Sequence, residues 1–152
     1  MTSSVNQARL PIPEIEIPEG TGPFDAVADR PSPVVLRGLA RHWPLVNRAA
    51  LSTDAAMAYL REFDTGKPVL ACVGERDIGG RLHYTDGLAD TNFEQRETRL
   101  AWVLEQLEQE ANQSSPRTVY MGSSAIRQCL PGLENENSLP LGERRATVRI
   151  WL

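Results

Sequence analysis

Cysteine and histidine are scarce in this sequence, and the scarcity removes several kinds of site at once. Cys72 and Cys129 are the two cysteines, far apart and in no CxxC arrangement. Each reads as a small, half-buried hydrophobe rather than a metal ligand or a disulfide partner. A mononuclear centre of two histidines and a carboxylate would need both His42 and His83, and nothing in their spacing supports it. Long apolar runs are missing as well, which argues against a membrane span. Met1 to Leu10 has neither the basic start nor the apolar stretch of a secretory leader, so the default location is cytoplasmic. No stretch concentrates charge of one sign. The formal net charge is −4 with acidic and basic residues mixed along the chain. Without a basic stripe, nucleic acid is not a partner the charge points to.

What is present is the composition of an ordinary globular protein, 41% hydrophobic and 24% charged, with no low-complexity tract. The length suits one domain, and a complete domain of this size buries roughly 70% of its unfolded surface. Residues 1–10 are polar and read as a flexible N-terminus. Residues 11–18 alternate apolar with polar types and carry prolines, which suits an extended segment on a sheet edge. Residues 24–30, behind Pro23, fit a short helix. Pro33-Val34-Val35-Leu36-Arg37-Gly38 reads as a buried strand.

Ser52-Thr53-Asp54 is a helix start, and Ala56, Tyr59, Leu60 and Phe63 recur at helical spacing before Gly66. Residues 68–73 read as a second strand, Gly79-Gly80 as a turn, and residues 81–85 as the hairpin partner of that strand. The strongest helix spans 97–111. Leu100, Val103, Leu104, Leu107 and Ala111 form its apolar stripe, with Glu105, Glu108 and Gln109 on a solvated face. After Ser114-Ser115-Pro116, residues 117–121 read as a strand closing at Gly122. Residues 130–143 have no period and read as a loop. Residues 145–152 are a β-type run with no turn signal at its end, from which a truncation inside a strand is expected.

Several of these pieces recur together elsewhere in the same order. They are Pro33-Val34-Val35-Leu36-Arg37-Gly38 with Trp43-Pro44, Leu82-His83-Tyr84-Thr85-Asp86 leading to Thr91-Asn92-Phe93, the long helix, and Val119-Tyr120-Met121-Gly122-Ser123. Leu130-Pro131-Gly132-Leu133, Glu136-Asn137 and Val148-Arg149-Ile150-Trp151-Leu152 follow. In this order, from Pro11 to Leu152, the chain resembles the cupin-like proteins of the JmjC type, a family that includes the asparaginyl hydroxylase of hypoxia-inducible factor. The resemblance implies an α+β chain, residues 11–152 supplying the N-terminal helices and first strands of a cupin-like double-stranded β-helix (jelly roll), truncated before the metal-binding half. Catalytic members bind Fe(II) through His-x-Asp and a later His, with 2-oxoglutarate beside it. Such a triad fills one face of an octahedral ion and leaves the other for a bidentate 2-oxo acid and dioxygen.

In this family the metal ligands are expected after Leu152. No metal ligand, catalytic residue or cofactor is therefore expected in this chain, although Fe(II) and 2-oxoglutarate are implied for a full-length member. His83-Tyr84-Thr85-Asp86 is spaced His-x-x-Asp, and on a strand residues three apart face opposite ways, which argues against a ligand pair. By resemblance, Tyr120 falls where relatives hydrogen-bond the 2-oxoglutarate carboxylate, and a phenol on a rigid strand is a good neutral donor. A core tyrosine bonded to a backbone carbonyl is the equal alternative. Trp151 either lines the same pocket or is a core tryptophan. Ser123 and Ser124 face a substrate groove or are turn residues, while Trp43-Pro44 and Trp102 read as packing.

Two functions remain in view. One is the N-terminal portion of an Fe(II)/2-oxoglutarate-dependent hydroxylase, inactive alone, whose partners are the C-terminal half of its domain and a protein or small-molecule substrate. The other is a non-catalytic cupin-like binding module. A homodimer is compatible with both, and an unrelated small α+β domain is a weaker third.

Overall fold

A computed structural model describes residues 11–18, 22, 27, 29–139 and 146–152. The expected flexible segment at 1–10 and the end of the expected loop at 140–143 lie outside the described residues. So does most of the expected helix at 24–30, where Arg30 N–H closes a turn on the Val27 carbonyl at 3.0 Å. The chain divides into two units, Met1–His42 with Leu139–Arg145, and Trp43–Ser138 with Ala146–Leu152.

In the first unit, β1 (Glu14–Glu16) pairs in parallel with β2 (Val35–Arg37), setting Ile15 opposite Leu36. Ile15 and Ile17 turn inward and the glutamates outward, the alternation of a one-sided strand. Arg37 grips Glu14 with two bonds of 2.8 and 2.6 Å, and Arg41 reaches Glu16 at 2.7 Å. These pairs are exposed and add little stability. Residues 34–36 were expected to be a buried strand, yet they are half-buried. Among the described residues their apolar run has only the three residues of β1 to pair with.

The second unit opens with α1 (Pro44–Leu51), whose first turn takes Pro44 at no cost because that N–H would be unpaired anyway. None of its residues is fully buried, so it leaves no stripe in the sequence and was not anticipated. Next, α2 (Thr53–Glu62) starts where the sequence indicates: Ser52 Oγ accepts from Ala55 N–H at 3.0 Å. It buries Met57, Tyr59 and Leu60, and the Tyr59 and Phe63 rings meet edge-on at 5.1 Å.

The sheet has β3 (Pro68–Gly74) in the centre, with β4 (Phe93–Arg99) and β5 (Thr118–Met121) antiparallel on either side. The partner of β3 is therefore β4, and residues 81–85 are not its hairpin strand. They lie in a loop that makes one isolated bridge, Tyr84 to Thr91. Phe93-Glu94-Gln95-Arg96-Glu97-Thr98-Arg99 shows no apolar alternation in the sequence, because five of its seven side chains are exposed. It runs directly into α3 (Leu100–Glu110), so residues 97–99 belong to the strand and not to the helix.

Leu100, Val103 and Leu104 are fully buried against Val69, Ala71, Val119 and Met121, but the expected stripe does not continue to Ala111, which is exposed. Gln106 and Glu110 are buried instead. Arg117 explains this: it bonds Glu110 through its Nε at 2.7 Å and its backbone N–H at 2.9 Å, and Gln106 at 2.8 Å. These contacts clamp the end of α3 to the start of β5, and the guanidinium holds the Glu110 carboxyl below the usual glutamate range.

Beyond β5, β6 (Ser124–Ala125) pairs antiparallel with β7 (Arg149–Ile150). Leu152 exchanges backbone bonds of 2.9 and 3.0 Å with Met121, carrying the sheet one position past β5. Residues 126–136, part of which was expected to be loop, hold two short helices, α4 (Ile126–Cys129) and α5 (Leu133–Glu136). The leucines of that stretch are structural: Leu130 and Leu133 are in the core. Asn137 then ties three elements together. It donates to Tyr59 Oη at 2.9 Å and to the Leu133 carbonyl at 3.0 Å, and accepts from Leu45 N–H at 2.9 Å. Among the described residues no helix is long and apolar enough to cross a membrane.

Candidate functional site

The pleat of the sheet sorts its side chains into two sets. Val69, Ala71, Val119 and Met121 point toward α3, so the residues between them point the other way. By register, Cys72 stands opposite both Tyr120 and Gln95, and Leu70 opposite Glu97. Among the described residues this second face carries no helix. Leu70 is 50% and Tyr120 37% exposed, against 0% for Ala71 and Met121.

Tyr120 is therefore not the core tyrosine of the alternative reading. Its ring lies over Gly122, where an added Cβ would come within 2.7 Å of the ring and 3.0 Å of the hydroxyl. The bare Gly122 backbone is what lets the phenol lie in this position. Cys72 is half-buried beneath the same face, and burial pushes its thiol up against an opposing bond from Gln95. Cys129 is buried with its thiol on the Ala125 carbonyl at 3.3 Å.

Trp151 reaches the same face from the last strand. Ile150 and Leu152 pack on the core, which leaves Trp151 and Arg149 on the opposite side, and Trp151 is 55% exposed rather than a core residue. Leu152 pairs with Met121, so Trp151 falls beside Gly122 and diagonal to Tyr120, a spacing of about 7–8 Å that aromatic side chains can bridge. Three residue steps separate Met121 from Ser124, but only two separate Leu152 from Ile150, so one extra residue bulges out here. Ser123 has φ +48° at that point, and Arg149 Nη1 bonds its carbonyl and, at 3.2 Å, its hydroxyl. Ser123 is thus a bulge residue held by an arginine. Arg149 was not singled out from the sequence; the signal available was its period-two relation to Trp151.

His83 and Asp86 lie in the loop before β4. The argument from strand alternation loses its premise there, since the stretch is no strand. The His83 ring is engaged locally, with Nδ1 2.7 Å from the Tyr84 carbonyl oxygen, and the His83 backbone N–H donates to Asn92 Oδ1 at 2.8 Å. Among the described residues no three His, Cys, Asp or Glu side chains converge as a ligand set, so these residues do not fit an iron centre. The open face does fit part of a carboxylate site, with a neutral phenol donor, a nearby guanidinium and an aromatic wall. Trp43 and Trp102 are packing residues: the Trp43 indole N–H bonds the Ser138 carbonyl at 3.0 Å, and Arg96 lies 4.5 Å above the Trp102 ring.

A family model described as a cupin-like domain matches residues 22–152. The chain belongs to the cupin-like domain family. Its mixture of helices and strands is the α+β class anticipated from the sequence. No curated protein matches it, so within this cupin-like chain the assignment of chemistry rests on the open sheet face.

Proposed function

We propose that this cupin-like chain is the N-terminal part of an Fe(II)- and 2-oxoglutarate-dependent hydroxylase of the JmjC type. It would supply the outer helices and first strands of a double-stranded β-helix, with Tyr120 and Trp151 on the wall of the 2-oxo acid site. The observation that carries this reading is the placement of Tyr120, Trp151 and Arg149 on the uncovered side of a sheet whose other side is sealed by α3. Oxidative decarboxylation of the 2-oxo acid supplies the chemistry in such enzymes. The work of this chain is narrower: the Tyr120 hydroxyl donates to a carboxylate, Trp151 excludes water beside it, and Gly122 keeps the phenol in place. The iron ligands would come from residues beyond this chain, and no step is assigned to the residues here.

The test has two parts. Purified chain supplied with iron, ascorbate and labelled 2-oxoglutarate is expected to release no carbon dioxide, and stoichiometric release would overturn the reading. The coding DNA for about a hundred codons past Leu152, roughly the rest of a domain, is expected to encode His-x-Asp and a later His. In that longer protein Tyr120→Phe is expected to raise the KM for 2-oxoglutarate by about tenfold, the worth of one hydrogen bond to a charged group. A continuation without those ligands would leave a cupin-like binding scaffold in place of an oxygenase.

A further inference from the structure

We propose that β4 is a self-association edge, through which two copies of this chain join their sheets antiparallel about a two-fold axis. Among the described residues β4 pairs only with β3, so its other edge presents a row of backbone donors and acceptors. Edges of this kind are ordinarily protected by being short, by proline, by a bulge or by charge. Of these only charge applies: β4 has seven residues, contains no proline, and keeps an unbroken register with β3 from Phe93 to Arg99. What it carries is charge of both signs on exposed side chains, at Glu94, Arg96, Glu97 and Arg99. A same-sign edge repels its own copy, whereas a mixed edge can match it.

The sign pattern selects one register. A two-fold axis normal to the sheet keeps every residue on its own face, so the axis must pass through a residue of β4. Centred on Arg96, it would set two guanidinium groups opposite each other; centred on Glu97, two carboxylates. Centred on Gln95, it sets the two glutamine amides opposite each other, able to donate and accept mutually. That register also brings Glu94 of each copy opposite Arg96 of the other, giving two opposite-charge pairs. Arg96 is already positioned over the Trp102 ring, which limits the freedom it has to lose on pairing. A single strand pair falls at the small end of interfaces, so the dimer is a concentration-dependent one.

Sedimentation velocity on the chain, from about 1 µM to about 1 mM, is expected to show monomer passing to dimer as concentration rises. Glu94→Arg, which makes both charge pairs repulsive, is expected to weaken the dimer at least about tenfold, with its thermal melt unchanged. Adding Arg96→Glu to that variant is expected to restore it. A wild-type chain that stays monomeric throughout, or a dimer indifferent to Glu94→Arg, would overturn the proposal, as would a folded double variant that fails to recover. Should the double variant not fold, amide exchange on the unaltered chain decides. Protection within residues 93–99 must rise with concentration, and protection that stays level there sinks the idea.

Discussion

The sheet β4-β3-β5 has one backbone and two unlike faces. On the face under α3, Val69, Ala71, Val119 and Met121 meet Leu100, Val103 and Leu104, all of them nearly or wholly removed from water. The opposite face carries Leu70, Cys72, Gln95 and Tyr120, with Trp151 beside them, and most of it is wet. Residues one step apart in sequence thus hold different tasks. The covered face makes the fold, while the open face gathers a phenol, a thiol, an arginine and an indole, the arginine held by its bonds to Ser123.

The comparison is broken most directly by truncating one leucine on each side. Leu104→Ala, on the covered side, is expected to lower unfolding stability by about 2–5 kcal/mol. Leu70→Ala, on the open side, is expected to change it by no more than about 0.5 kcal/mol. Urea melts of the two variants measure this, and equal losses would mean that the open face is packed after all. A smaller effect tests the latch at the helical end. Asn137→Ala strands the Leu45 amide and removes both donations to Tyr59 and Leu133, a loss of about 1–3 kcal/mol by the same melts.

Glu110 sharpens the comparison by pH. Its folded carboxyl is held low, first by the side-chain bond from Arg117. A depressed acid contributes stability that is complete above its unfolded pKa and is lost as pH falls through the folded one. The chain is therefore expected to lose melting temperature below the ordinary glutamate range. Glu110→Gln should start lower and lose less over the same acid interval. Parallel curves would show that the Arg117 clamp does not set the acid response.

The covered face was largely legible in the sequence, because burial writes a period. Leu100, Val103 and Leu104 announce α3, and Ser52 announces α2 through its cap. Failures came where burial writes nothing. The exposed side chains of β4 gave no alternation, so its first claim as partner of β3 passed to residues 81–85, and its last three residues were absorbed into the helix. Gln106 and Glu110 stand three and seven residues from Val103, at the border of the apolar stripe, but their polar ends read as solvent-facing until Arg117 approaches from the next strand and makes them interior. On the open face, Tyr120 and Trp151 could be named by resemblance but not placed. Arg149 and Gly122 depend on a bulge at Ser123 that no local pattern encodes.

The smallest expected change in stability is the most informative about function. Tyr120→Phe removes one hydroxyl from an exposed ring, and its melt is expected to stay within about 0.5 kcal/mol of the unaltered chain. A larger loss would return Tyr120 to the fold and dissolve the distinction between the faces. Gly122→Ala is the companion, because its new methyl must occupy space the Tyr120 ring now fills. That ring is free on its solvent side, so it can swing away at little cost in stability, but the hydroxyl moves with it. If Tyr120 holds a carboxylate, both variants should weaken 2-oxoglutarate use alike in the protein bearing the iron ligands, one by deleting the donor and the other by misplacing it. Should Gly122→Ala leave that use intact while Tyr120→Phe abolishes it, the hydroxyl acts from somewhere other than its position over Gly122. If neither matters, the open face serves a different ligand.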